Sequence, residues 1–375
     1  MKDRTKILFV ILSMAGGGAE RTAALLLNKI DRKKFLPKLV IFKKEGSYLE
    51  DVAGDVEVID LKKRGRLDFF RLIFKLRSVM KSENPDAVFS LTDYPNIVMV
   101  LASMLVKKKF KTIISERNNH RGYLNAMRFK FIRKALVAFT YKRADSIVVI
   151  SEGIKKALVE DFSLEPAKIK VIYNPFDIEK IKDLSRQNVR HPFFDKDVPK
   201  RSVIIAAGRL TGQKNHEILI KAFKIVREDF PAYLVILGEG ELKGHLEDTV
   251  KRLGIKEYVD FAGFKKNPYP WMKEADIFVM SSDWEGFGNV LVEAMVCGTA
   301  VISTDCQSGP NEIIENGVNG ILVPVNDRDA LAKAILRLLE DRKAREGIKH
   351  RAFETAQKYD VTKIVPEYEE VFKIR

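Results

Sequence analysis

No feature of this chain constrains its fold more than a repeating alternation of short runs rich in Ile, Val, Leu and Phe with helical patterns between them. The runs fall at residues 6–12, 37–42, 56–60, 86–91, 111–115, 145–150 and 169–172, then 202–207, 232–237, 258–262, 276–280, 299–303 and 320–323. Strands that are apolar on both sides leave no face for water, so they belong in parallel sheets covered by helices on both faces. An α/β chain of two Rossmann-like domains is expected. The rhythm breaks between Ser185 and Arg201, where His191, Pro192, Pro199 and mixed charge replace it, which predicts domains at 1–185 and 202–358 joined by a linker at 186–201. After the last strand–helix unit, Tyr359, Val361, Ile364, Tyr368 and Phe372 keep helical spacing. A C-terminal helix over 359–375 is therefore expected to pack back on the first domain. At 375 residues and 46% hydrophobic content, the chain can fill both cores.

Charge narrows the choice of partners. The formal charge is +15, but residues 1–200 hold 41 Lys and Arg against 24 Asp and Glu, while residues 201–375 hold 25 against 27. Residues 101–150 alone carry 12 basic against 2 acidic side chains. Such a block attracts phosphates, whether of lipid headgroups, nucleic acid or a phosphorylated substrate. Cys297 and Cys306 are too few for a disulfide framework and lack metal-ligand spacing, which fits a reducing cytosol. The opening residues imitate a secretion signal only faintly, because the six apolar residues Ile7 to Leu12 are followed by Gly16 to Gly18 and Glu20. The longest apolar run, Ile97 to Val106, is about half of what spans a bilayer, so membrane contact is expected to be peripheral.

Three constellations carry candidate chemistry. Gly16, Gly17 and Gly18 lie between a buried run and an amphipathic helix, where backbone N–H groups can approach a phosphate, although a tight turn without a ligand explains them equally well. Arg21 and the Phe42-Lys43-Lys44 segment stand where a dinucleotide fingerprint wants a glycine and an acid. The second constellation, Gly208-Arg209-Leu210-Thr211-Gly212-Gln213-Lys214-Asn215, again follows a strand and opens a helix. Arg209 and Lys214 can hold a diphosphate and offset its charge as it leaves; otherwise they are solvated loop charges. The third runs from Trp284 through Glu285-Gly286-Phe287-Gly288-Asn289-Val290 to Glu293. A helix should start near Asn289, leaving Glu285 ahead of it and Glu293 about one turn inside. There Glu293 could accept hydrogen bonds from vicinal hydroxyls, or be an ordinary surface residue.

At this third motif the chain resembles the family 4 glycosyltransferases, and the resemblance covers nearly its whole length. The glycine-rich first loop, the Gly-Arg-Leu and Lys-Asn segment, Gly238-Glu239-Gly240, the paired glutamates, Ser308-Gly309-Pro310 with Glu312, and Gly317 with Gly320 occur in the family's order. The resemblance implies the GT-B fold, two facing Rossmann-like domains with parallel sheets and a central cleft. It also implies retaining transfer from a nucleotide diphosphate sugar, expected to be UDP-linked, without a metal or other cofactor. By the same resemblance, Arg209 and Lys214 hold the diphosphate and Glu293 the ribose. Glu285 with Gly286, Phe287, Gly288, Asn289 and Val290 lies near the sugar, Gly16 to Gly18 and Gly238 belong to the donor side, and the base sits by Phe261 to Phe264. Asp195-Lys196-Asp197 and Asp327-Arg328-Asp329 follow no nucleotide-binding strand and are read as solvent-facing charge.

The chain departs from the family where many members carry a His soon after the fifth strand. Here the strand leads into Ser115-Glu116-Arg117-Asn118-Asn119-His120. His120 is a catalytic candidate or a capping or exposed histidine, and Glu116, Arg117 and Asn118 are expected on the acceptor side. With Ser90-Leu91-Thr92-Asp93 and Asn96 upstream, this form resembles the branch that builds bacterial lipid-linked oligosaccharides, including N-acetylgalactosamine transferases. Leu124 to Arg143 reads as one helix, with Leu124, Met127, Phe131, Ala135 and Phe139 facing its own domain. Lys130, Arg133 and Lys134, with Arg128 nearby and Phe129 and Val137 beside them, would form an interfacial basic face for an anionic membrane and a polyprenyl-diphosphate-linked glycan acceptor. A solvated basic face is the plainer alternative. The expected location is cytoplasmic, on the inner face of the cytoplasmic membrane. Two other classes compete: a nucleotide-sugar 2-epimerase, and a nucleic-acid-binding protein, disfavoured because no nucleic-acid motif accompanies the charge.

Overall fold

The computed structural model describes residues 4–65, 68–107, 109–123, 130–195 and 202–374. The chain divides into two compact units, Met1–Pro175 with Val361–Arg375, and Phe176–Asp360. In the first, the order is β1 (Thr5–Ile11), α1 (Gly18–Lys29), β2 (Phe35–Ile41), β3 (Val58–Asp60), α2 (Phe69–Glu83), β4 (Ala87–Leu91), α3 (Asp93–Ser103) and β5 (Lys111–Glu116). It continues through α4 (His120–Tyr123), α5 (Lys130–Tyr141), β6 (Ser146–Val149), α6 (Glu152–Phe162) and β7 (Ile169–Val171). The second unit contains α7 (Ile178–Leu184), β8 (Ser202–Ala207), α8 (His216–Asp229), β9 (Ala232–Leu237), α9 (Lys243–Arg252), β10 (Val259–Gly263), α10 (Tyr269–Glu274) and β11 (Ile277–Met280). There follow α11 (Asn289–Val296), β12 (Ala300–Thr304), α12 (Pro310–Ile313), β13 (Ile321–Val323), α13 (Arg328–Glu340) and α14 (Arg342–Ala356), before α15 (Val361–Phe372) returns to the first unit.

Each unit is built on one parallel sheet, ordered β3-β2-β1-β4-β5-β6-β7 in the first and β10-β9-β8-β11-β12-β13 in the second. In both, the order reverses beside the first strand, and the loops at the strands' carboxyl ends are where ligands bind in such sheets. The strands lie where the apolar runs predict them, because residues buried on both faces can be nothing else in so short a run: β1 is buried from Ile7 to Ile11, and all of β4, β11 and β12 is buried. On the face of the first sheet covered by α1 and α15, Phe9, Phe89 and Phe372 meet edge to face at 5.1–5.6 Å. Each such ring contributes about 2 kcal/mol of burial, so α15 is part of this core.

The division at Pro175 and Phe176 falls earlier than the expected boundary at residues 185 and 186. Phe176 donates its N–H to the Tyr359 carbonyl at 2.9 Å, and α7 packs on α10 and α11 through the buried Ile178 and Ile181. Within the expected linker, the described residues His191, Phe193 and Phe194 pack on the second unit. Phe193 stacks on Tyr233 with centroids 4.0 Å apart, His191 approaches Asp260 at 3.1 Å, and Phe194 meets Trp271 edge-on. Residues 191–194 are thus fastened to β9, β10 and α10 of the second unit.

Candidate functional site

The carboxyl edge of the second sheet gathers the loops after β8, β9, β11 and β12, and glycines set how closely they stack. Gly238 has φ +144, and a Cβ there would stand 1.9 Å from the Gly208 carbonyl oxygen. Gly238, expected on the donor side, therefore also serves the approach of one loop to another. Gly309 does the same beneath Phe287, whose carbonyl oxygen a Cβ would meet at 2.1 Å. The Phe287 ring points inward, edge-on to Tyr359 at 5.3 Å.

On this stacked base the predicted charges converge. Lys214 is ion-paired with Glu285, and Ser282 donates its hydroxyl to the same Glu285 oxygen at 2.7 Å. Ser281 donates to the Lys214 carbonyl at 3.0 Å, Ser308 to the Glu285 carbonyl at 2.8 Å, and Gln213 to the Trp284 carbonyl at 2.9 Å. Asn215 donates to Asp283 at 2.8 Å while its own side chain caps α8 by accepting from Ile218. Two loops about 70 residues apart in sequence are thus held in register. Arg209 is exposed at the end of β8, and the exposed Phe264 follows β10. Helix α11 begins at Asn289, with Val290 beside it and Gly286 and Gly288 in the preceding turn. Glu293, one turn in, is only 3% exposed, which removes the surface-residue alternative. Asp327 caps α13 by accepting from Ala330 at 2.8 Å, a structural duty for that acidic pair.

Burial also silences two nearby groups. Desolvation first, then the Glu285 charge, pushes the Cys306 thiol up to about 12. His216 opens α8 with 4% exposure, and burial followed by the Lys214 charge lowers it to about 4, so it is neutral near pH 7.

In the first unit Gly16, Gly17 and Gly18 form an exposed turn into α1, with Gly16 at φ +128. The acceptor-side residues are arranged otherwise than expected. Glu116, Arg117 and His120 are 0%, 5% and 2% exposed, and only Asn118 faces solvent. Glu116 ends β5 and accepts from the backbone N–H groups of Arg117 and Asn118 at 2.9 and 3.0 Å and from the Tyr141 hydroxyl at 2.5 Å; His120 Nε2 lies 3.0 Å away. Arg117 turns inward to Thr22 at 2.7 Å, to Ser115 at 3.2 Å and to Asn174. Burial works against the Glu116 charge, but His120 and these donors outweigh it and hold the carboxyl below its ordinary range. His120 is raised in turn, the Glu116 carboxylate overcoming desolvation. This buried pair closes the strand-to-helix turn, so His120, Glu116 and Arg117 do not stand open to a substrate.

The basic helix is likewise turned from its expected orientation. Residues 124–129, including Leu124, Met127, Arg128 and Phe129, lie outside the described residues, and Lys130 is described by its backbone alone. Phe131 is 77% exposed, with Ile132, Ala135 and Phe139 also exposed, whereas Val137 and Tyr141 are fully buried. Of the stripe expected to face the domain, Phe131, Ala135 and Phe139 face outward, because the inward positions are set by Val137, Thr140 and Tyr141. Arg133 donates through Nε to Asp93 of α3 at 2.7 Å, and Lys134 is exposed. Among the described residues no helix is long and apolar enough to cross a membrane. Ser282 and Tyr141 were not singled out from sequence: hydroxyls in apolar or mixed runs carry no spacing signal.

Comparison with known proteins agrees with this architecture. Residues 16–180 match the family described as Glycosyltransferase Family 4, and residues 190–355 match Glycosyl transferases group 1. A Campylobacter jejuni protein named N-acetylgalactosamine-N,N'-diacetylbacillosaminyl-diphospho-undecaprenol 4-alpha-N-acetylgalactosaminyltransferase is 32% identical over 96% of this chain and 97% of its own. A second from that organism, named GalNAc-alpha-(1->4)-GalNAc-alpha-(1->3)-diNAcBac-PP-undecaprenol alpha-1,4-N-acetyl-D-galactosaminyltransferase, is 28% identical over 97% of each chain. Among solved structures, the Anabaena protein HepE in complex with UDP superposes with a TM-score of 0.82 at 23% identity, covering 98% of this chain and 99% of its own. Two parallel-sheet Rossmann-like units, both family matches in sequence order and the near-full-length relatives make this chain a family 4 glycosyltransferase.

Proposed function

We propose that this enzyme transfers a hexose or N-acetylhexosamine, with retention, from a UDP-linked donor to a polyprenyl-diphosphate-linked glycan at a membrane surface. The observation that carries the reading is the Lys214–Glu285 pair, buttressed by Ser282 at the carboxyl edge of the second sheet. An ammonium fixed there, with the Arg209 guanidinium beyond β8, matches the charge that grows on a departing diphosphate. Glu285 and the turn through Gly286, Phe287, Gly288, Asn289 and Val290 face the sugar in this reading, and the buried Glu293 accepts from the ribose hydroxyls. Cations do the work of charge neutralisation, so no metal or other cofactor is required. In the same-face mechanism the leaving diphosphate takes the acceptor proton as the acceptor oxygen attacks, which needs no protein nucleophile.

Support for the acceptor comes from the two C. jejuni relatives, whose names specify undecaprenol-diphosphate-linked glycans. Exposed Phe131 and Ile132 beside Lys134 on α5 are the mixture of apolar and basic groups that an anionic leaflet binds reversibly. Asn118, exposed at the end of β5, is the acceptor-side polar group that remains available. Peripheral association with the cytoplasmic face of the membrane follows from that pairing of donor and acceptor.

The test combines binding and turnover. UDP and UDP-sugars should raise the unfolding temperature, and GDP- and ADP-sugars should do so less. Lys214→Ala should lower transfer to a polyprenyl-diphosphate acceptor about a hundredfold or more in protein that still unfolds cooperatively, though at a lower temperature because the Glu285 carboxylate loses its partner. Near-normal turnover in that variant would remove Lys214 from the diphosphate site.

A further inference from the structure

A second basic block lies apart from the segment at 101–150. Residues 61–81 hold eight Lys and Arg against the single acid Asp68. Helix α2 occupies most of this stretch. Its inward stripe is Leu72, Ile73, Leu76 and Met80, while Phe70 is 71% and Phe74 60% exposed, one turn apart on the outer face. A surface helix normally turns polar groups outward. The far end of α2 does so with Ser78, Lys81 and Ser82 exposed; its start does not.

Several of the cations have fixed places. Lys75 donates to the Leu61 carbonyl at 2.7 Å, Arg71 to the Lys62 carbonyl at 3.0 Å and Arg77 to the Leu105 carbonyl at 2.9 Å. Lys62 and Arg64 are exposed and Lys63 half-buried immediately ahead of the aromatic pair. The start of α2 therefore presents two Phe rings with three cations beside them.

Topology decides where this patch points. Right-handed crossovers from β3 to β4, β4 to β5 and β5 to β6 all step in the same direction along the sheet, so α2, α3 and α5 cover the same face. Contacts of α2 with α3 and of α3 with α5 agree. Both α2 and α5 descend from the carboxyl edge. Phe70 and Phe74 on α2, and Phe131 and Ile132 on α5, thus lie toward that edge, whereas Phe139 lies toward the opposite one. Helix α3, buried at eight of its eleven positions, is sunk between the two.

We propose that the start of α2, with Phe70 and Phe74 and the cations Lys62, Lys63 and Arg64, is a second docking element that enters the headgroup region of an anionic phospholipid bilayer alongside α5. This rests on the membrane-acceptor reading above. Two attachment points separated by two helix spacings, roughly 20 Å, fix the tilt of the first unit as one helix alone cannot. They hold the carboxyl edge of its sheet at the lipid surface, where a lipid-linked acceptor presents its diphosphate.

The experiment is flotation of the full-length protein with vesicles of phosphatidylcholine alone or of phosphatidylcholine with phosphatidylglycerol. Wild type is expected to float with the anionic vesicles and much less with the neutral ones. The double variant Phe70→Ser with Phe74→Ser should lower the anionic partition coefficient at least tenfold, and Lys62→Glu with Arg64→Glu should lower it comparably. Phe139→Ser, an exposed aromatic at the other edge, should change it less than twofold. The unfolding temperature of the double Phe variant should stay at the wild-type value, because Phe70 and Phe74 are mostly exposed. Equal binding by the double Phe variant, or a loss no greater than that of Phe139→Ser, overturns the proposal. A change of oligomeric state without vesicles overturns it too, by making the face a protein interface. Transfer to an acceptor dispersed in detergent should be unaltered in the double Phe variant. If wild type transfers to no polyprenyl-diphosphate acceptor, the function reading fails while the vesicle result stands on its own.

Discussion

Ser282 buttresses the proposed donor site through Glu285. Its hydroxyl donates to Glu285 at 2.7 Å while Thr304 donates to its carbonyl at 2.6 Å, so it orients a carboxylate from a fully buried position. Hydrogen bonds to charged groups are worth about 1.5–3 kcal/mol. Ser282→Ala should therefore cut kcat/KM roughly ten- to a hundredfold, falling mainly on kcat if Glu285 acts in the transition state, and Ser282→Thr should restore most of it. An unchanged kcat in Ser282→Ala would make the contact purely structural. Lys214 and Glu285 were legible in sequence because glycine-rich turns frame them, whereas Ser282 sits in a Ser-Ser pair that spacing cannot tell from any strand end.

Around β5, elements are joined by a buried ionisable cluster rather than by apolar packing alone. Glu116 ends β5, His120 opens α4, and Tyr141 of α5 bridges from Glu116 to Asn96 of α3, which donates to it at 3.0 Å. The Glu116 carboxyl is held below its ordinary value of 4.5 and His120 above its ordinary 6.5. A lowered acid stabilises the fold above about 4.5, and that contribution is lost as pH falls through its folded value. A raised histidine stabilises below about 6.5, and its contribution is lost as pH climbs through its folded value. The pair therefore contributes most between these two values. Wild-type unfolding temperature should decline from pH 6.5 toward 9, and His120→Gln, less stable throughout, should show a shallower decline over that range. A variant with the wild-type slope would place the titration elsewhere. The same cluster explains why the sequence misjudged this region. His120 looks catalytic in a polar run after a strand, but the buried Glu116 carboxylate holds it as a partner, and Arg117, expected on the acceptor side, turns its guanidinium inward to Thr22, Ser115 and Asn174. On α5, helical periodicity put Phe131, Ala135 and Phe139 on the inward stripe, whereas the buried Val137 and Tyr141 mark the face that turns inward.

At the scale of the whole molecule, the second unit is continuous in sequence, Phe176–Asp360, while the first is completed only by Val361–Arg375. The alternation of apolar runs made both sheets legible, since a run buried on both faces has one structural use. The exact division was not, because α7 is too short for its periodicity to say which core it joins. That interleaving makes the units unequal as fragments. Helix α15 buries Val361, Ile364, Val365, Tyr368, Val371 and Phe372, on the order of 10 kcal/mol at about 2 kcal/mol each, comparable to the net stability of a domain. Residues 1–175 alone should lack cooperative thermal unfolding and expose Phe9 and Phe89 to a hydrophobic dye, and adding a peptide of residues 361–375 should restore a transition. Residues 176–360 keep their own sheet, both layers and every loop of the Lys214–Glu285 site, so this fragment should unfold cooperatively and be stabilised by UDP nearly as the full chain is. Calorimetry on the two fragments decides the matter: a cooperative transition in residues 1–175 without the peptide would show that α15 covers that core without completing it.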